Sequence, residues 1–331
     1  MNIQEIYELG VKLGINADLR GSAKVKKNLK RVNDKYDKLS SEDKKHFDKE
    51  RLWNPYSDTR VYVDHKKEVK KVLVGIDIKA SEILIAKELG CDLIIGHHPI
   101  GSALSDLHDV MYLQAEVLAD YGVPINIAES MVKERMDEVA RGTSPINTYR
   151  SVDTAKLFNI GLMCCHTPTD NLVANFLKEK MNKAKPEYVG DVLEVLRDIE
   201  EYQIARTQKM GPTLFAGNKD NYAGKVVLTE ITGGTEGAVG IYEKMSNAGI
   251  GTIVGMHMAE DRKKEAQKYH MNIVIAGHMS SDSLGVNLFL DELEKKGIEI
   301  VPCSGLIRVS RVKKSKPKSK VKKKVVKKKR K

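Results

Sequence analysis

Length, composition and charge exclude several classes of protein. The 331 residues are 41% hydrophobic and 31% charged, a balance that excludes a wholly disordered chain. No stretch approaches the roughly 20 apolar residues that a membrane-spanning helix needs, and the start of the chain lacks a basic segment followed by an apolar one. We therefore expect a soluble cytoplasmic protein without a membrane partner.

The net charge of +11 comes from one end of the chain. Residues 311–331 contain fourteen Lys or Arg and no acidic residue, which leaves 42 basic against 45 acidic residues elsewhere. This Lys-rich tail has too little apolar content to form a core, so we expect it to be disordered. Polylysine binds phosphate backbones through counterion release. The tail is therefore either a weak, sequence-independent nucleic-acid contact or a solubilising segment.

The rest of the chain predicts an α/β protein with two lobes. Residues 1–60 are helical and heavily charged, which indicates an N-terminal extension. Beyond them, short β-rich runs alternate with helical segments, and this alternation predicts mostly parallel or mixed sheets because parallel neighbours need crossover helices. We place the first lobe at residues 61–182 and the second at residues 183–310.

Individual elements are predicted from apolar runs and helical periodicity. The first lobe has predicted strands at 71–78, 91–95, 123–128 and 160–165, and predicted helices at 81–90, 106–121, 131–139 and 172–181. The second lobe has predicted strands at 213–216, 225–231, 252–255, 272–278, 298–302 and 306–309, and predicted helices at 238–248, 260–269 and 283–296. The four cysteines lack CxxC spacing, so we interpret them as reduced core residues.

Two loops at predicted strand ends carry candidate metal ligands. His97 and His98 follow the strand CDLII directly, where a chain turn lets the two imidazoles point toward neighbouring ions. Asp170 lies in the loop HTPTDN after the strand IGLMCC, with His166 four residues earlier. Structural histidines and a helix N-cap Asp are the alternatives. His166 is the weaker candidate, because it could serve only to orient the loop.

A third loop, GHMSSD, adds His278 and Asp282, which are four residues apart at the start of a helix and so share one face. A capping Asp and a hydrogen-bonded histidine are the alternatives. Three imidazoles and two carboxylates suit Zn, Fe, Mn, Co or Ni better than Ca or Mg. Five ligands exceed what one ion usually takes from protein, so the set predicts two divalent metal ions.

Weaker candidates lie near these loops. His257 ends another predicted strand and is either a substrate-facing group or a surface histidine. Asp77 either orients a metal ligand or is a strand-end turn residue. Both are candidates for a catalytic role. The sequence ITGGTEG between a strand and a helix could bind phosphate through its backbone amides, although Glu236 would repel an anion, and a tight turn is the alternative.

These motifs also carry a family resemblance. The strand ending at Asp77, then DLIIGHHP, HTPTD and GHMSSD in that order resemble the Nif-three-like dinuclear metal centre family, also called GTP cyclohydrolase I type 2 homologues. The resemblance covers residues 70–310. It implies two α/β lobes with the metal pair in the cleft between them, commonly in a homohexameric ring.

The resemblance also implies a ligand pairing. His98 and Asp170 would hold one ion, His97 and His278 the other, and Asp282 would bridge both. The family usually has Glu at the last position, so the shorter Asp282 can bridge only if its helix lies closer to the site.

Two classes of function fit this reading. One is a metal-dependent hydrolase, GTP cyclohydrolase I type 2-like, that acts on a nucleotide or related small molecule, because two adjacent ions activate water and polarise a substrate. The other is a metal chaperone or insertase that exchanges metal with a client without turnover, with the basic tail adding weak nucleic-acid association.

Overall fold

Two β-sheets organise the chain, one in each lobe. The structure is a computed structural model that describes residues 1–313, so the prediction for the tail falls, beyond its first three residues, outside the described part. The first sheet has five strands in the order β1-β4-β3-β2-β9, and the second has four in the order β5-β8-β7-β6. The predicted α/β architecture with two lobes is confirmed.

The strands are β1 (Thr59–Val63), β2 (Lys71–Gly75), β3 (Leu93–Gly96), β4 (Gly161–Cys165), β5 (Thr213–Ala216), β6 (Lys225–Glu230), β7 (Ile250–Gly255), β8 (Asn272–Ile275) and β9 (Glu299–Cys303). The helices of the N-terminal segment and first lobe are α1 (Ile3–Ala17), α2 (Ser22–Asp37), α3 (Ser41–His46), α4 (Ala80–Glu88), α5 (Gly101–Ser105), α6 (Leu107–Val110), α7 (Tyr112–Asp120), α8 (Ile125–Thr143), α9 (Arg150–Phe158) and α10 (Thr167–Ala184). The remaining helices are α11 (Val189–Arg197), α12 (Glu200–Thr207), α13 (Ile241–Asn247), α14 (Glu260–Lys268) and α15 (His278–Lys295), and a 3-10 turn spans Lys49–Leu52.

Both sheets are mixed. In the first, β2, β3, β4 and β9 are parallel and β1 is an antiparallel edge beside β4. In the second, β6, β7 and β8 are parallel and β5 is an antiparallel edge. The parallel strands β2, β3 and β4 end at one edge of their sheet, and the loops that carry Asp77, His97 and His166 leave from that edge.

Helix α15 connects the two lobes. It begins directly after β8 of the second sheet, and its side chains pack toward both lobes. Leu284 belongs to the apolar cluster of the second lobe. Phe289 packs in the first-lobe cluster with β2, β3 and α1. The strand β9 that follows returns to the first sheet beside β2, although we placed its segment with the second lobe.

Two predicted strands are wrong. Residues 123–128 are not a strand but lead into α8, which runs unbroken through the predicted helix 131–139. Ala128, Val132 and Met136 are buried at four-residue spacing, which is a helical face, and Pro124 precedes the first turn. Residues 306–309 contain no strand either.

The N-terminal helix is part of the first-lobe core. Ile3, Ile6, Tyr7 and Val11 of α1 are buried in the cluster that contains Phe289 of α15. The charged segment predicted as an extension therefore begins with a helix that the first lobe needs. Within the described residues, no helix is long and apolar enough to cross a membrane.

Candidate metal centre

The histidine pair after β3 is fixed by the backbone. The amides of His97 and His98 donate to the carbonyls of Gly75 and Ile76, each at 2.9 Å, so the turn after β3 is tied to the end of β2. His97 is buried and His98 is one-quarter exposed. Their ring centroids are 5.1 Å apart. The two imidazoles therefore lie side by side at the carboxyl edge of the sheet, as predicted.

Hydrogen bonds leave the Nε2 atom of each imidazole free to bind a cation. The Nδ1 of His97 lies 2.9 Å from Oγ1 of Thr169, and this hydroxyl lies 2.8 Å from the carbonyl of Cys165. Since the hydroxyl donates its one hydrogen to the carbonyl, Nδ1 of His97 donates to the hydroxyl. The Nδ1 of His98 lies 2.9 Å from Oδ1 of Asp77 and donates to that carboxylate. Such contacts fix the ring and the tautomer of metal-binding histidines.

The first turn of α10 contributes a carboxylate and a third imidazole. Asp170 is 4% exposed, and its Oδ1 lies 3.5 Å from Nε2 of His97. The Nε2 of His166 lies 3.7 Å from Oδ2 of Asp170, and its Nδ1 lies 2.8 Å from Asp58. His166 is thus closer to the centre of the cluster than the sequence indicated.

Helix α15 brings the last two candidates. His278 and Asp282 occupy its first turns, and Nε2 of His278 lies 3.6 Å from Oδ2 of Asp282. Asp282 is 1% exposed. One of its oxygens lies 3.5 Å from Nε2 of His97 and the other 3.5 Å from Nε2 of His98. Asp282 therefore faces both imidazoles of the pair.

Four buried atoms in this cluster have no hydrogen-bond partner anywhere in residues 1–313. They are Nε2 of His97, Oδ1 of Asp170 and both carboxylate oxygens of Asp282. A buried ionised carboxylate without partners is costly unless a cation balances it. Two ligand atoms that each lie about 2.1 Å from one tetrahedral ion are about 3.4 Å apart. The separations of 3.5 to 3.7 Å fit such an ion.

The ligand atoms form overlapping groups of three. One group is His97, Asp170 and Asp282, a second is His98, His278 and Asp282, and a third is His97, His98 and His166. Asp282 is common to the first two groups, so the arrangement can accommodate two ions that share this carboxylate. Asp170 lies beside His97, at 3.5 Å from its Nε2, whereas the resemblance implies that Asp170 shares an ion with His98.

The electrostatics of the cluster favour the metal-binding forms of His97 and Asp282 and the protonated form of His98. Burial lowers the pKa of His97 to about 4, so this imidazole is neutral near pH 7. Burial acts to lower the pKa of His98 too, but the carboxylates of Asp282 and Asp77 raise it to about 10. Burial opposes ionisation of Asp282, yet the neighbouring imidazoles hold its pKa well below the ordinary value. Burial raises the pKa of Asp170 to about 7. Ionised Asp282 and neutral His97 are the forms that bind metal, whereas a cation bound at Nε2 of His98 would have to displace the proton that Asp282 and Asp77 stabilise there.

The second lobe closes one side of the cleft. The ring of His257 lies 4.7 Å from that of His278, and its Nδ1 lies 3.0 Å from Oε1 of Glu236. The loop ITGGTEG lines the same space, with positive φ at Gly233 and Gly234. Gln114 holds this loop by donating to the carbonyl of Gly233 at 2.9 Å. His257 and the glycine loop are therefore rim groups of the cleft.

Two supporting residues were missed in the sequence. Asp58, fully buried before β1, accepts hydrogen bonds from the amide and hydroxyl of Thr167 as well as from His166. Thr169 holds His97, as described above. Asp58 gives no signal in sequence because it is more than a hundred residues from its partners, whereas Thr169 lies inside the motif HTPTD.

Comparisons with known proteins agree with this architecture. A protein-family model described as Duf34/NIF3 (NGG1p interacting factor 3) matches residues 47–115. The chain is similar to a solved NIF3 superfamily protein from Sphaerobacter thermophilus, with 26% identity, a TM-score of 0.69, and coverage of 76% of this chain and 92% of that chain.

More distant matches include reduced HcgD from Methanocaldococcus jannaschii, at 18% identity with coverage of 73% of this chain and 87% of that chain, and protein ybgI, at 14% identity with coverage of 84% and 97%. Their TM-scores are 0.43 and 0.46. No curated protein sequence matches the chain. The two α/β lobes, the order of the motifs, the family-model match and the similarity to the Sphaerobacter thermophilus structure all support a relationship of this chain to the Nif3-like family.

Proposed function

We propose that the cleft binds two divalent cations and that the protein is a metal-dependent hydrolase. The observation that carries the proposal is Asp282, a fully buried carboxylate with both oxygens unpaired in the described chain and three imidazoles within 3.6 Å. A cation on each side of this carboxylate would satisfy both oxygens. The imidazole and carboxylate set suits Zn, Fe, Mn, Co or Ni.

In this proposal the ligands are His97, His98, Asp170, His278 and Asp282. When bound, a metal pair supplies activated water and polarises a substrate oxygen or ring carbon. The protein supplies orientation: Thr169 and Asp77 each hold the Nδ1 side of one histidine of the pair. Asp77 acts in this proposal as a positioning residue, because it contacts His98 and not the cleft centre.

The rim groups would contact the substrate. His257 is 44% exposed at its side chain and lies against His278, so it can reach a molecule that enters the cleft. The carboxylate of Glu236 is bound by His257 and by the guanidinium of Arg262 at 3.3 Å, which offsets its repulsion of an anion. A nucleotide or related phosphate-bearing small molecule is the substrate class that we propose, with a phosphate near the glycine loop.

Metal analysis and an activity screen test this proposal together. We expect purified protein to bind about two ions per chain, and the Asp282→Ala variant to lose both, since its carboxylate serves both groups. A screen of nucleotides and phosphoesters with the loaded protein should find a hydrolysed substrate, and the variant should be inactive toward it. Full metal content in Asp282→Ala would reject the metal site, whereas metal without turnover would reject only the hydrolase.

A metal chaperone or insertase is the second candidate. The solvent access of His98 and His278, whose side chains are 25% and 39% exposed, favours exchange with a client. Metal dissociation rates and transfer to an apo-enzyme separate the two functions. Rapid transfer combined with no turnover in the screen would favour the chaperone, and slow release with turnover would favour the hydrolase.

The basic tail carries a separate proposal of weak nucleic-acid association. Arg311 pairs with Glu201 at 2.8 Å, so a deletion should spare it and remove only residues 314–331. The deletion should abolish retention on DNA-cellulose at low salt and leave metal content unchanged. Retention by the shortened protein would reject this role.

A homohexamer, which the family resemblance implies, is tested by light scattering during size-exclusion chromatography.

A further inference from the structure

A second cavity lies between α2 and the first lobe. It has a volume of about 440 Å³, within the range of small-molecule sites. No candidate metal ligand lines it. Its walls come from the segment 20–57 and from α6, α7 and α8. The residues that line it include Leu29, Arg31, Val32, Lys35, Leu113 and Met136.

The cavity lies between two sets of polar contacts that connect α2 and its flanking segments to the first lobe. On one side, Arg20 and Asn28 bind Glu116 of α7 at 3.0 and 2.9 Å. On the other side, Asn33 of α2 donates to the carbonyl of Leu52 in the 3-10 turn at 2.9 Å, and Arg51 of the same turn pairs with Asp109 of α6 at 3.0 Å. These polar contacts connect α2, directly and through the 3-10 turn, to the first lobe. The space beneath the middle of α2 is left open.

The floor and roof of this space are apolar. On α2, Val25 is fully buried, but Leu29 and Val32, which continue the same helical stripe, are only partly covered. Leu113 and Met136 face the cavity from the first lobe and are buried within the chain. The apolar part of a ligand would cover the exposed surface of Leu29 and Val32, and the hydrophobic effect would favour this burial.

The entrance carries uncompensated positive charge. Arg20 and Arg51 already pair with carboxylates. Arg31 and Lys35 are exposed, line the cavity and form no ion pair within residues 1–313. They are four residues apart on α2 and therefore lie on one face, about one turn from each other. Two positively charged side chains without an ion pair in the described residues thus lie beside an apolar space.

We propose that this cavity binds a small organic anion, namely a molecule with a flat apolar body and one carboxylate, sulfonate or phosphate group. The apolar body lies between α2 and α7, and the anionic group lies against Arg31 and Lys35. The site does not depend on the proposed metal chemistry. It is connected to α10, because Tyr56 lines the cavity and its hydroxyl accepts from Asn171, the residue after Asp170.

Fluorescence titration of the full chain with 8-anilinonaphthalene-1-sulfonate tests the proposal, with the uncharged N-phenyl-1-naphthylamine as the matched probe. We expect saturable binding of the sulfonate at one site per chain. The double variant Arg31→Glu/Lys35→Glu should weaken sulfonate binding by roughly tenfold, because two attractive charges become repulsive. Binding of the uncharged probe should change little.

Two further variants separate this site from nonspecific binding. Lys44→Glu/Lys45→Glu makes the same charge change on α3, away from the cavity, and should bind the sulfonate as the wild type does. Val32→Trp should fill the cavity and weaken both probes, with an unchanged circular dichroism spectrum. The proposal is overturned if binding is not saturable, if both double variants weaken it equally, or if Val32→Trp leaves it intact.

Discussion

Gly285 of α15 lies directly against the backbone carbonyl of Thr169 in α10. A Cβ atom at position 285 would be 2.2 Å from that carbonyl oxygen, closer than any real contact. The absence of a side chain therefore lets the two helices approach each other next to the metal centre. Three residues before Gly285 on the same helix, Asp282 lies 3.5 Å from both His97 and His98.

Gly285→Ala should separate α15 from α10 and impair the metal centre. We expect the free energy of unfolding to fall by about 1–3 kcal/mol, as for other overpacked core positions, and the bound metal per chain to decrease. Urea denaturation and metal analysis measure the two effects. Gly142→Ala is the matched control, because a Cβ there meets nothing within 4 Å, and it should be neutral or slightly stabilising. Equal effects of the two variants would contradict the account.

The grouping of ligands predicts a pattern among double variants. His97→Ala/Asp170→Ala removes two ligands of one group and should leave about one ion per chain, held by the other group. His97→Ala/His278→Ala removes one ligand from each group and should leave almost none. Metal analysis after dialysis distinguishes the two. The opposite order, with more metal left in the second variant, would support the pairing implied by the family resemblance.

Helix α1 should contribute to the stability of the first lobe. Ile6 is completely buried, so Ile6→Ala should lower the free energy of unfolding by about 2–5 kcal/mol. Leu157→Ala is the control, since Leu157 is 86% exposed, and its effect should be within about 0.5 kcal/mol. Both are measured by urea denaturation of the metal-free protein. A negligible effect of Ile6→Ala would mean that α1 is a dispensable extension.

The four thiols should differ in reactivity. All are unpaired, and Cys91, Cys164 and Cys165 are buried, whereas Cys303 is partly exposed. Burial raises the pKa of Cys164 to about 11, so little thiolate forms at pH 8. An aromatic disulfide reagent should therefore modify one thiol rapidly in the native protein, and Cys303→Ser should remove that phase. Rapid modification of Cys164 would show that the β4 region opens.

Local patterns predicted much of the fold and of the candidate site. The parallel strands β2, β3 and β4 are continuous apolar runs, and the loops after β3 and β4 follow from the rule that functional groups lie at carboxyl strand ends. The sequence predicts a strand at the start of α8 because VPINIA is rich in β-branched residues. This segment is helical in the structure because Ala128 and Val132 pack on the buried face of α8.

Long-range contacts could not be predicted from local patterns. The contact of Asp58 with His166 and the insertion of α1 beside Phe289 join segments far apart in sequence. The close packing at Gly285 depends on the path of α10, which the periodicity of apolar residues in the sequence does not predict. The candidate ligands were therefore identifiable as residue types at strand ends, whereas the groups that orient them required the structure.

Anomalous X-ray diffraction from crystals of the protein grown with zinc tests the central claim most directly. The account predicts two peaks roughly 3.5–4 Å apart with Asp282 between them, one beside His97 and Asp170 and the other beside His98 and His278. The absence of any peak within bonding distance of Asp282 would contradict it.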